Sequence, residues 1–239
     1  MILKGPHHTC ILNYQGHELV LFGESHGNPK MCDNGESIVK FMDGCDKTQV
    51  YLEMPVNYKL VDRNVACDYT SSNVLNAIRT CLLIKKMSSD NIHFCDPRQS
   101  IGHLPYSAIE TQFMYIRFDT NVFSQKFLLP LQKIIRFQHY FDSRCWSMWL
   151  KKNYLARMRN AISDQNKQSC VLIYREATDT FLELYITSRL LFYLNKSHRH
   201  VVYVGSFHSL NIQNILLELG AVVMQKPQLH NKSCVLIKS

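Results

Sequence analysis

Two apolar, β-favouring runs near opposite ends of the chain each end in the pattern Gly-x-x-His. Residues 18–22 lead into Gly23–His26, and residues 200–204 lead into Gly205–His208. A strand that ends in this way delivers its histidine to the carboxyl edge of a sheet, where open α/β sheets place their ligand crevice. The two motifs therefore predict neighbouring parallel strands that bring the two histidines together in one bipartite active site.

Two further apolar runs end in charged residues that a core strand has no packing reason to present. Residues 48–52 lead into Glu53, and residues 91–95 lead into Asp96 and Arg98. A proline follows within two residues in both cases, and proline prevents the strand ladder from continuing. Because parallel strands share one carboxyl edge, Glu53, Asp96 and Arg98 are expected to line the crevice of the two histidines.

The alternation of β-favouring and helical runs predicts an α/β fold. A Gln15-Gly16 turn predicts a hairpin over residues 8–21, and the β-α-β-α-β order that follows predicts a parallel sheet with right-handed crossovers. We expect a three-layer domain with a mainly parallel central sheet and an N-terminal β-hairpin. Helices are predicted over 36–42, 73–87, 171–195 and 209–219, and the last strands over 221–224 and 234–237.

Residues 104–168 interrupt this alternation. Apolar and aromatic residues recur there at helical spacing with little β signal. Two interpretations stay open: a helical insertion that caps the crevice, or a packing layer on the back of the sheet. The expected organisation is one α/β domain over 1–239, with 104–168 as a helical insertion or cap.

Composition favours a globular, intracellular protein. The chain has 239 residues, of which 46% are hydrophobic and 19% charged, and no apolar stretch approaches the ~18–20 residues of a membrane span. Its first residues lack the apolar core of a signal peptide. The nine cysteines include no Cys-x-x-Cys pair, which favours free thiols in a reducing compartment and predicts a cytoplasmic location.

The net charge of +8 attracts polyanions. The basic clusters are short, however, and no nucleic-acid-binding motif accompanies them. A solvated basic face is therefore favoured over a nucleic-acid groove, although the charge alone does not exclude one. The expected partner is a small-molecule or peptide substrate that carries anionic groups.

Glu24 and His26, two residues apart, are suited to a carboxylate–imidazole pair in which one group orients the other for proton transfer near neutral pH. The alternative for His26 is a loop histidine that binds nothing. Gly23–Gly27 also fits the nucleophile elbow Gly-x-Ser-x-Gly. That match is weak, because the elbow needs a helix directly after Ser25 and Gly27-Asn28-Pro29 starts one poorly.

Two arginines are candidates for anion binding. Arg98 either pairs with Asp96 in a structural salt bridge, or binds an oxyanion while Asp96 takes part in catalysis or metal binding. Arg189 shares a face of the long predicted helix with Tyr185. These two side chains either face water or reach towards the crevice.

In combination, the motifs resemble the superfamily that includes TraB/TIKI-type proteases, erythromycin esterases and ChaN-like haem-binding lipoproteins. That group shares two Gly-x-x-His motifs with a Glu and an Arg, matched here by Gly23–His26, Glu53 and Gly205–His208. Uncharacterised members from large DNA viruses are more similar, because they add an Asp-x-Arg and an Asp-x-Tyr-x-x-x-Arg helix. Asp96–Arg98 and Glu183–Arg189 match these, with Glu183 in place of the Asp.

The resemblance implies a hydrolase that activates water by His/Glu general acid–base chemistry. His26 is the expected base, oriented by Glu24 or Glu53, and His208 is the second acid/base. The superfamily includes metal-dependent and metal-free enzymes, so a divalent metal ion held by His26, Glu53 and His208 is one of two expectations.

In such a hydrolase, Arg98 and Arg189 are expected to stabilise an oxyanion or to bind an anionic substrate group.

Two other kinds of function remain open. A non-catalytic module that sequesters haem, a metal or a small anion is the alternative to a hydrolase. A third possibility is an interaction protein that uses its basic surface in a host cell, where a viral origin would place it.

Overall fold

The structure is a computed structural model that describes residues 2–4, 6–25, 36–38, 41, 47–55, 91–96, 98, 154, 156–229 and 234–236. The chain divides into two compact units, one formed by Met1–Cys95 with Tyr193–Ser239 and the other by Asp96–Phe192. Of the predicted insertion over 104–168, residues 154 and 156–168 are described and belong to the second unit, whereas 104–153 lie outside the described residues. Across the described ranges, we find no helix with the length and apolar character needed to cross a bilayer.

A mixed six-stranded sheet forms the centre of the first unit, with the strand order β6-β5-β7-β3-β2-β8. Strand β7 pairs in parallel with both β3 and β5, whereas β2 runs antiparallel to β3 and to β8. The α/β class and the parallel pairing of the two strands that precede the Gly-x-x-His motifs are therefore confirmed. The strands of this sheet are β2 (His8–Tyr14), β3 (His17–Glu24), β5 (Gln49–Pro55), β6 (Ile92–Asp96), β7 (Arg199–Gly205) and β8 (Val222–Leu229).

The position of β7 explains its composition. Residues 201–204 are fully buried, because β7 has a parallel neighbour on each side and both of its faces are covered. Such strands are continuous apolar runs without a polar alternation. His208 follows β7 three residues beyond its last residue, Gly205, at the carboxyl end of the strand.

The predicted hairpin is confirmed, with β2 and β3 joined by a turn at Gln15 and Gly16. Both turn residues have positive φ, +53° for Gln15 and +86° for Gly16, which matches the right-handed twist of the paired strands. The pairing runs from Tyr14 opposite His17 to His8 opposite Gly23. The hairpin thus carries β3 across the sheet to the first Gly-x-x-His motif.

Helix α2, which follows β7 directly, spans Ser206–Glu218. The predicted start at residue 209 is three residues late, because residues 206–208 form the first turn of the helix after Gly205 as N-cap. The predicted end at Gly220 is confirmed. Gly220 has a φ of +97° and donates to Leu217 O, while Ala221 donates to Leu216 O. These two bonds form a Schellman motif.

The helix α1 of the second unit spans Lys167–Phe192, and residues 156–163 are helical as well. In the first unit, a short 3-10 helix, Leu194–Lys196, precedes β7. Three short strands form a second sheet of order β4-β1-β9, namely β1 (Ile2–Lys4), β4 (Glu36–Ser37) and β9 (Cys234–Leu236). The predicted crossover helix over 73–87 lies outside the described residues.

Candidate functional site

Two glutamates flank the end of β7 on opposite faces of the sheet. Glu24 pairs with Gly205 between β3 and β7, and Leu52 pairs with Tyr203 between β5 and β7. Side chains alternate between the faces of a sheet, so Glu24 shares a face with Tyr203. Glu53, one residue beyond Leu52, projects from the opposite face. The two carboxylates therefore have different surroundings.

Glu53 lies next to His208, and both side chains are buried. Glu53 is 8% exposed and His208 is 7% exposed. Glu53 Oε2 accepts a hydrogen bond from the backbone N–H of Gly205 at 2.7 Å, and Glu53 Oε1 lies 3.7 Å from His208 Nε2. The second distance is longer than a hydrogen bond. One carboxylate oxygen is thus fixed by the backbone, and the other faces the imidazole.

The N-terminus of α2 contributes to this arrangement. Gly205 is the N-cap residue of α2, and no side chain of its own caps the helix. The Glu53 carboxylate binds the N–H of that residue, at the positive end of the helix dipole, where a negative charge is favoured. Burying a carboxylate without such partners is costly, so these contacts explain how Glu53 is accommodated at the end of a buried strand.

Glu24 is held on the other face by Tyr203. The Tyr203 hydroxyl is fully buried and donates to Glu24 Oε2 at 3.0 Å. Burial, and after it the nearby Glu24 carboxylate, raises the pKa of Tyr203 well above its ordinary value. The phenol therefore stays protonated and acts as a hydrogen-bond donor. The sequence left open which glutamate orients His26, and that choice lies outside the described residues. Within them, Glu53 faces His208 and Glu24 binds Tyr203.

Gly23 makes room for the first turn of α2. A Cβ atom at this position would lie 2.6 Å from Ser206 Cα and 3.0 Å from Ser209 Cβ. Real Cβ atoms essentially never lie this close to another heavy atom. The atom at 2.6 Å belongs to the backbone of α2, which cannot move aside as a flexible side chain can. The absence of a side chain at Gly23 is thus what allows α2 to pack against β3, and through α2 it places His208.

Two serines of α2 bind the neighbouring strands. Ser206 Oγ donates to the backbone carbonyl of Glu24 at 3.0 Å. Ser209 Oγ and His8 Nδ1 are hydrogen-bonded at 2.8 Å. Burial, with a smaller effect of the neighbouring His7, lowers the pKa of His8 from 6.5 to about 4. His8 is therefore neutral near pH 7, and the first turn of α2 is tied to both β2 and β3.

The sequence did not identify Tyr203, Ser206, Ser209 or His8 as site residues. The signal for His8 was available, because a two-residue turn at Gln15-Gly16 fixes the hairpin register and places His8 opposite Gly23. The contacts of Ser209 depend on how α2 packs on the sheet, which no local pattern reveals.

Asp96 and Arg98 belong to the second unit and pair with each other. Arg98 Nε and Nη2 donate to the two Asp96 carboxylate oxygens at 2.9 and 3.0 Å, and Nη1 donates to Asp179 Oδ1 at 2.9 Å. These contacts are those of a structural salt bridge, which is one of the two alternatives for Arg98. In the same unit, Arg189 Nη1 donates to Tyr185 Oη at 2.6 Å, so these two residues share a helix face as expected.

A group of histidines at the start of the strands has a structural role. His200 Nε2 donates a hydrogen bond to the carbonyl of Leu194 at 2.9 Å. His200 Nδ1 lies 3.2 Å from the Tyr51 hydroxyl and accepts a hydrogen bond from it. Burial is the largest cause that lowers the pKa of His200. The Tyr51 ring stacks on His93 with ring centroids 4.7 Å apart. Both ring nitrogens of His200 are engaged in hydrogen bonds within the fold, so neither is available for proton transfer or metal binding.

No protein-family model, curated protein or solved structure matches the chain. The site is therefore interpreted from its own residues. The described residues include no group of three or more His, Cys, Asp or Glu side chains that could hold a metal ion. His26, the expected base, lies outside the described residues, and so does any group that would include it.

Proposed function

We propose that the chain is a hydrolase in which Glu53 and His208 form a general acid–base pair for the activation of water. The observation that carries this proposal is the buried carboxylate–imidazole contact, with Glu53 Oε1 3.7 Å from His208 Nε2, at the carboxyl ends of parallel strands. That edge is where α/β proteins bind their ligands. The resemblance of the two Gly-x-x-His motifs to the TraB/TIKI and erythromycin esterase superfamily supports the same chemistry.

In this proposal Glu53 orients the imidazole of His208. Glu53 is itself fixed by the N–H of Gly205, so it presents one oxygen to His208 Nε2. His208 is then held in one orientation in which its imidazole exchanges a proton with water. A distance of 3.7 Å is compatible with this role, because catalytic hydrogen bonds are often long without substrate and shorten in its presence.

The remaining assignments of the proposal rest on the sequence. His26 is the second imidazole of the site, and Asp96 takes part in catalysis or metal binding. Arg98 and Arg189 bind or stabilise anionic groups of a small-molecule or peptide substrate. We infer the same three-layer arrangement and the same helical insertion or cap over 104–168 that the sequence predicts, and a cytoplasmic location.

A divalent metal ion is compatible with the donors that are described. Glu53 Oε1 and His208 Nε2, which are 3.7 Å apart, are oxygen and nitrogen donors of the kind that would hold such an ion. His26 would be the third ligand. Such an ion would supply a bound water of lowered pKa, while Glu53 and His208 hold their positions through the backbone contacts of β7 and α2.

The experiment that tests the function begins with a metal analysis of the purified protein, followed by an ester, peptide and phosphodiester panel. We expect turnover of at least one class, with Glu53→Gln and His208→Gln each reducing the rate by roughly 10²–10⁴-fold. Glu18→Gln and His17→Gln, at the other end of β3, are matched controls with unchanged rates.

Two outcomes would contradict the proposal. One is full activity in Glu53→Gln and His208→Gln, which would place the chemistry elsewhere. The other is tight binding of haem, a metal or an anion without turnover of any class, which would favour the sequestering module. His26→Ala tests the second histidine in the same assay. We expect it to abolish turnover and to change the free energy of unfolding by no more than about 0.5 kcal/mol, as is typical of surface substitutions.

A further inference from the structure

His208 lies between two serines that hold the first turn of α2 on the sheet. Ser206 binds the backbone of β3, and Ser209 binds His8 of β2. The same turn packs against Gly23 of β3 so closely that a side chain at position 23 would have no space. The turn that carries His208 is therefore fixed at three points.

The hydrogen bond between His8 and Ser209 is buried and joins β2 to α2. His8 and Ser209 are fully buried, and their Nδ1 and Oγ atoms are 2.8 Å apart. His8 Nε2 has no hydrogen-bond partner among the described residues. Burying an imidazole with one unsatisfied nitrogen is unfavourable, and a leucine of similar size would avoid that cost. The bond to α2 is the one polar contact of the His8 side chain that the described residues provide.

We propose that His8 and Ser209 are positioning residues for His208, an inference that rests on the proposed function of His208. Ser209 is the next residue along the helix, so any rotation or shift of the first turn moves both side chains together. The distance between His208 and Glu53 depends on the same turn, because Gly205 begins it and Glu53 binds Gly205. The His8–Ser209 bond thereby fixes the imidazole relative to the carboxylate.

The test uses three variants of the full-length protein. Ser209→Ala and His8→Leu each remove the bond. His8→Asn retains it, because the amide of Asn places a polar atom where His8 has Nδ1. Ser197→Ala is the matched control, since the Ser197 hydroxyl also binds a distant segment, at the carbonyl of Lys47, and lies at the other end of β7.

The readouts are the ring ¹⁵N and ¹H signals of His208 in histidine-labelled protein, assigned with His208→Gln, and turnover on the ester, peptide and phosphodiester panel. We expect Ser209→Ala and His8→Leu to shift the His208 signals and to reduce turnover by roughly 10- to 100-fold. His8→Asn is expected to restore both, and Ser197→Ala to change neither.

The inference is overturned if the variants lower the melting temperature but leave the His208 signals and turnover as in Ser197→Ala, since the bond would then be structural alone. Shifted His208 signals in a protein without turnover on any class would support the positioning and contradict the hydrolase proposal. If His8→Leu does not fold, Ser209→Ala, which removes a single oxygen atom, decides between these outcomes.

Discussion

The buried imidazole of His8 is expected to make the fold sensitive to acid. Burial lowers the pKa of His8 in the folded state from 6.5 to about 4, so folding favours the neutral ring. The stabilisation is complete above pH 6.5 and is lost as the pH falls from 6.5 towards 4, where the unfolded chain binds a proton that the folded chain does not. Each pKa unit corresponds to about 1.4 kcal/mol, so the full loss is about 3 kcal/mol for this fully buried group.

Urea unfolding of the wild type and of His8→Asn, at about pH 7.5 and about pH 4.5, measures this effect. Other acid-sensitive groups are present in both proteins, so the difference between their unfolding free energies isolates His8. We expect that difference to move by about 2–3 kcal/mol in favour of His8→Asn at the lower pH. A difference that is the same at both pH values would refute the reasoning, because it would show that folding does not change the protonation of His8.

Three further substitutions test the packing and polar contacts. Gly23→Ala should lower the unfolding free energy by about 1–3 kcal/mol, because its methyl group would lie 2.6 Å from backbone of α2; an unchanged melting temperature would contradict this. Tyr203→Phe removes the hydrogen-bond donor to Glu24 and should lower the free energy of unfolding in urea by about 1.5–3 kcal/mol; an unchanged value would show that the bond makes no net contribution. Asp179→Asn weakens the ion pair with Arg98 and should increase hydrogen exchange of α1, whereas unchanged exchange would argue against a stabilising pair.

Much of the sheet was predictable because its signals are local. The turn at Gln15-Gly16 fixed the hairpin, Pro55 ended β5, and Gly220 ended α2. The start of α2 was not predictable in the same way. Ser-Phe-His after Gly205 is a weak helical signal, and the sequence predicts the helix only from residue 209. The helix nevertheless starts there, since its first turn packs on the surface that Gly23 leaves open.

The site was predictable only to the level of the sheet edge. The sequence placed Glu24, Glu53 and His208 at the ends of strands, and Glu53 and His208 do lie together. It did not separate the roles of the two glutamates, because the face on which each side chain lies depends on the register between β3, β5 and β7. Tyr203 gained its role from the same register, which pairs it with Phe22 and sets it beside Glu24 on one face.

The most direct test of the central claim is the turnover of Glu53→Gln, His208→Gln and the double variant, on the substrate class that the wild type hydrolyses best. If the two residues act as one acid–base pair, the double variant loses no more activity than the more impaired single variant, since residues that act as a unit are not additive. Losses that multiply in the double variant would show that Glu53 and His208 act independently. Single variants as active as the wild type would show that the pair does not carry the reaction.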